Sequence, residues 1–78
     1  MIIKVLGSGC SNCQKLEQNV QKALEQLGLH ATVEKITAYS DILAYGVSST
    51  PALVVDEQVV LAGRVASPQQ LVFVLKGD

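Results

Sequence analysis

A chain of 78 residues has room for one modest core, and residues 1–78 are read as a single domain. Hydrophobic residues make up 49% of it and charged residues 17%, which is too apolar for a disordered chain. Six basic residues against seven acidic ones give a formal charge of −1, which excludes the strong basic field that nucleic acid or an anionic membrane would need.

The opening MIIKVLG carries one lysine within a short apolar run. That is far short of a signal-peptide core or of the roughly 20 residues that span a bilayer, so a cytoplasmic location is expected. Ile2–Leu6 is β-branched and nearly continuous in apolarity, which predicts a buried strand ended by Gly7. From Ser11 to Leu27 the period becomes helical, with Cys13, Leu16, Val20, Ala23, Leu24 and Leu27 on one stripe and Gly28 as the stop. The glutamines and charges on the remaining surface of that helix make a solvated face.

His30 to Ile36 predicts a second strand. A short helix follows, capped near Ser40 and Asp41, turning Ile42, Leu43 and Tyr45 inward and ending at Gly46. Tyr39 and Tyr45 are read as packing around it. Ala52–Val55 and Val59–Ala62, joined by Asp56, Glu57 and Gln58, suit an antiparallel hairpin with a solvated turn, closed by Gly63 and an exposed Arg64. Ser67, Pro68 and Gln70 match a capped helix start, after which Leu71, Val74 and Leu75 face inward. The order is βαβαββα, an α/β chain with a mixed sheet.

Both cysteines of the chain sit in GSGCSNCQ, residues 7–14. A structural staple is a weak explanation, because closing a loop of about four residues stabilises by only about 2 kcal/mol before strain, and a reducing cytosol does not maintain such bonds. Cys10 falls at a strand-to-helix junction, where unpaired N–H groups and the helix dipole favour an anionic sulfur, so its thiol is expected to be acidified. Cys13 lies one turn on, in line with Leu16 and Val20, shielded and within reach of the other sulfur. One thiol is thus exposed and activated, its neighbour held in reserve.

The element order, GCSNC at the head of the first helix, Thr50-Pro51 before the third strand and GRVAS before the last helix together resemble the small thioredoxin-like redox-active disulfide proteins of archaea and bacteria. The resemblance spans the whole chain. It implies a minimal thioredoxin-like fold, a four-stranded mixed sheet with helices on both faces. It also implies exchange of a Cys10–Cys13 dithiol with protein disulfides, with Cys10 as nucleophile and Cys13 as resolving cysteine. Pro51 would be cis and face the cysteines, Thr50 would offer its backbone to an extended substrate, and Gly9, Ser11 and Asn12 would complete the substrate-binding surface. No cofactor or metal is implied; the partners would be protein disulfides and a reductase, with no nucleic acid or membrane, and the chain acting as a monomer. Gly9 stands where typical thioredoxins carry tryptophan, the Ser11-Asn12 dipeptide lacks proline, and the first strand offers Lys4 but no carboxylate.

Two other readings compete. A soft-metal module would use both thiolates for Cu(I) or Zn(II). Such domains run βαββαβ with a methionine shortly before the first cysteine, whereas here the only methionine is Met1, and His30 is the sole histidine. A redox-sensing interaction domain would use the same pair to gate a partner.

Overall fold

The computed structural model describes residues 1–7 and 11–76. Its elements are β1 (Ile2–Leu6), α1 (Ser11–Leu27), β2 (Thr32–Ile36), α2 (Tyr39–Ala44), β3 (Ala52–Val55), β4 (Gln58–Ala62) and α3 (Pro68–Leu75). The sheet order is β2-β1-β3-β4, with β1 parallel to β2, and β3 antiparallel to both β1 and β4. This is the mixed α/β sheet of a minimal thioredoxin-like fold.

Side chains alternate across a strand, and the two layers follow from that rule. Ile3, Val5 and Leu53 join Leu16, Val20, Ala23 and Leu24 of α1 and Leu71 and Leu75 of α3 in one core. Leu6, Ala52 and Val54 face the other way, against Ile42 of α2, Val47 and the half-buried Tyr45. Helices therefore cover both faces. An Asn19 side-chain amide donates to the Ala66 carbonyl at 2.9 Å, tying α1 to the segment that leads into α3.

Helix α1 has the bounds read from the sequence, and Gly28 stops it at φ 65°. The box at α3 also forms: Ser67 Oγ accepts from the Gln70 amide at 3.2 Å, and Gln70 Oε1 accepts from the Ser67 amide at 3.1 Å.

Five expectations need correction. Strand β2 begins at Thr32, not His30, because β1 starts pairing at Ile2, opposite Thr32, and offers His30 no partner. Helix α2 is capped by Ala38 without a side-chain bond, not by Ser40 or Asp41; Leu43 is 50% exposed and Tyr39 73%, since a helix this short presents a single stripe, and Ile42 occupies it. In α3 the half-buried Val72 packs on the core while Val74 is exposed, because its inward stripe runs along one contact with α1. Strand β4 takes in Gln58, leaving a two-residue turn in which Asp56 and Glu57 have φ 48° and 68°, the sign that matches strand twist in a tight hairpin.

The fifth correction is that this turn is not merely solvated. Asp56 accepts from the Ile2 amide at 2.9 Å, and Glu57 meets Lys4 Nζ at 2.6 Å. Lys4 also donates to the Tyr45 hydroxyl at 2.7 Å, so one ammonium gathers the hairpin tip, β1 and the end of α2. Donation to Glu57, and then to Tyr45, raises the Lys4 pKa above the ordinary lysine range, and the same bond lowers that of Glu57.

Leu16 is wholly buried, and Leu16→Ala is expected to cost about 2–5 kcal/mol, read as a lower urea midpoint at unchanged slope; a loss under about 1 kcal/mol would contradict the packing described. A second expectation concerns pH. A carboxyl whose pKa is lowered by folding contributes stability above its unfolded value and loses it as pH falls through the folded one. The raised Lys4 reports the same bond from its other end, so the contribution is intact at neutrality and fades as Glu57 takes up its proton. Glu57→Gln should therefore flatten part of the acid limb of melting temperature against pH, and an unchanged limb would refute the pairing.

Candidate active site

Cys13 occupies the first turn of α1 and is 6% exposed, on the stripe that continues through Leu16 and Val20. It is disulfide-bonded. Beneath it passes the backbone of Gly7, the residue that ends β1 and donates its amide to the Ile36 carbonyl at 2.9 Å. A Cβ on Gly7 would collide with the sulfur of Cys13 and lie 3.2 Å from its Cβ and 3.9 Å from Cβ of Thr50. The space over Gly7 is thus bounded by the cysteine and by the loop before β3. Space, not backbone conformation, reserves the position for glycine.

In that loop the Thr50–Pro51 bond is cis, as the resemblance implies. Thr50 is exposed, and Pro51 is buried and accepts at its carbonyl from the Gly63 amide at 2.8 Å. Gly63, at φ 78°, lies against Ser49. The end of the β3–β4 hairpin therefore braces the Thr50–Pro51 segment from behind. Ser11 and Asn12 open α1 and are exposed. Gly9 and Cys10 lie outside the described residues.

A cleft of about 60 Å³ opens beside Cys13, lined by Val5, Gly7, Gln14, Glu17, Lys35 and Thr37. Glu17 Oε2 pairs with Lys35 Nζ at 3.2 Å. Three of these residues do not stand out as site residues in the chain order alone. Gly7 stands there only as a strand stop. Glu17 carried a usable signal, since it is four residues beyond Cys13 and so on the same helical face. Lys35 carried none, because its place depends on the register that sets it opposite Val5. Arg64 is exposed and lines a separate surface cleft with Ser67, Gln70 and Phe73. Among the described residues no three His, Cys, Asp or Glu side chains are grouped to hold a metal ion, and no helix is long and apolar enough to cross a membrane.

Residues 1–76 match the family described as thioredoxin domain. A thioredoxin of Methanothermobacter thermautotrophicus is 42% identical over 71 residues, covering 91% of this chain and 92% of that protein. A thioredoxin of Methanocaldococcus jannaschii is 33% identical over 71 residues, covering 91% of this chain and 81% of its own. The fold and these similarities define a thioredoxin-like protein of the thiol–disulfide oxidoreductase class. The chain belongs to the thioredoxin-domain family.

Overpacking of this kind costs about 1–3 kcal/mol, so Gly7→Ala is expected to destabilise the oxidised protein by that order. Combined with Cys13→Ala the penalty should shrink, because the colliding atom is gone. An equal penalty in both backgrounds, measured by denaturant unfolding, would rule out the sulfur contact as its cause.

Proposed function

We propose that the chain exchanges a Cys10–Cys13 dithiol with protein disulfides, Cys10 attacking and Cys13 resolving. The observation that carries this is the seat of Cys13: buried in the first turn of α1, its sulfur against Gly7, with Thr50 of the cis Thr50–Pro51 segment bordering the same space over that glycine. A sheltered sulfur at this position suits the second step of exchange, and a helix N-terminus favours the anionic form of the thiol that takes the first.

In the reducing direction the Cys10 thiolate attacks one sulfur of a substrate disulfide. A bond forms to that sulfur, the substrate S–S bond breaks, and the departing thiolate takes a proton from solvent. Cys13, as thiolate, then attacks Cys10 in the mixed disulfide; the second substrate thiolate leaves, and the electron pair has passed to the substrate. An acidified Cys10 helps most as a leaving group, when it is expelled as the disulfide is later reduced, since gains in thiolate fraction are largely offset by lower nucleophilicity. Thr50, exposed just ahead of β3, would pair with an extended substrate segment, and Gly9, Ser11, Asn12 and Pro51 would complete the substrate-binding surface. The partners are protein disulfides and a reductase, and the chain works as a monomer.

Cys10→Ser is expected to abolish exchange with a model protein disulfide, and Cys13→Ser to accumulate a mixed disulfide on Cys10 that mass spectrometry detects. Undiminished exchange by Cys10→Ser, or no trapped adduct on Cys13→Ser, would refute the assignment of roles.

A further inference from the structure

The chain that leaves the β3–β4 hairpin runs directly behind the Thr50–Pro51 segment. Gly63 donates its amide to the Pro51 carbonyl at 2.8 Å and turns the backbone at φ 78°, so Arg64 leaves the sheet one residue from that brace. Arg64 is exposed and makes no hydrogen bond or ion pair with a described residue. It borders a cleft of about 440 Å³ with Ser67, Gln69, Gln70 and Phe73, a lining that includes no acidic residue. We propose that Arg64 and Phe73 select the substrate: the extended segment that pairs at Thr50 carries, two or three residues from its cysteine, an acidic side chain that meets Arg64 and an apolar neighbour that covers Phe73.

The chemistry of the lining sets what fits. The capping box of α3 engages Ser67 Oγ and Gln70 Oε1 as acceptors, so a hydroxyl hydrogen and an amide NH2 are what those two side chains have left for a ligand. The guanidinium of Arg64 adds donors in a planar fork and accepts nothing. Donors joined to positive charge call for an anionic acceptor, and a carboxylate matches the fork with two parallel bonds. Beside them Phe73, 74% exposed, stands three and four residues beyond Gln70 and Gln69 and therefore on their face of α3. A ring so placed offers apolar area to the residue next to the carboxylate. Reach agrees as well. An extended segment advances about 3.3 Å per residue, so two or three residues cover roughly 7–10 Å, comparable with the backbone path from Thr50 through Pro51 and across the brace to Gly63 and Arg64.

This selectivity rests on the exchange proposed for Cys10 and Cys13, and the test separates the two. Reduced full-length protein is mixed with short synthetic peptides that each hold one internal disulfide, and the second-order rate of their reduction is read after an acid quench. The peptides carry Glu-Leu, Gln-Leu or Glu-Ser two to three residues from one cysteine, before it in one series and after it in the other. In one series Glu-Leu should be reduced about fivefold faster than Gln-Leu at low salt, the upper range for an exposed charge pair. That ratio should fall toward one at about 1 M salt, where the Debye length is about 3 Å. Arg64→Gln should bring it to about one, and Arg64→Lys should keep part of it. Glu-Ser should be about threefold slower than Glu-Leu, a difference that Phe73→Ala erases. A wild-type ratio of about one in both series, or a ratio that Arg64→Gln leaves intact, overturns the selection by Arg64. A leucine effect that survives Phe73→Ala overturns the role of Phe73. Wild-type protein that reduces neither the peptides nor a protein disulfide such as that of insulin overturns the exchange reading itself.

Discussion

A strand that is hydrogen-bonded along both edges and covered on both faces can accept only the side chains its neighbours admit, and β1 is held in that way. Its edges belong to β2 and β3. Ile3 and Val5 go to the layer of α1 and α3, and Leu6 goes to the layer of α2. Lys4 shares that second face and is tolerated because its ammonium is led out to Glu57 and Tyr45. Fixed on four sides, β1 delivers its last turn of backbone at one place, and the start of α1 is built against it.

The site follows from that placement. Where Gly7 leaves the strand, backbone and sulfur come so close that a methyl group would not fit between them. The same crowding that demands glycine keeps Cys13 out of solvent and brings Thr50 within a few ångströms of the same point. Behind Thr50 the brace from Gly63 to Pro51 belongs to the hairpin, so β3 and β4 serve the site although neither carries a sulfur. The proposed asymmetry of the thiols is thus a matter of packing as much as of helix dipoles.

The periphery shows how edge strands are handled. The β3–β4 register slips between Leu53 and Val54, leaving Val60 of β4 as an extra residue, and Val59 and Val60 are partly exposed while Leu61 is buried. At the tip, Asp56 and Glu57 accept the left-handed backbone usually left to glycine or asparagine, and their bonds to the Ile2 amide and to Lys4 anchor that turn to β1.

Order, type and most boundaries of the elements were legible in the residues themselves, because they rest on local rules: the helical stripe from Cys13 to Leu27, the Ser67-to-Gln70 box, and β-branched runs punctuated by glycine. The short helix misled, since Ser40 and Asp41 look like caps whatever the chain does and a single turn and a half leaves room for Ile42 alone. Sequence by itself determined that two thiols share a strand-to-helix junction and that the one at Cys13 lies on an apolar stripe. Only the tertiary structure decided that Gly7 must be bare, that Thr50 stands across from Cys13, and that Glu17 meets Lys35, because each of these joins residues that strand register brings together and chain spacing does not.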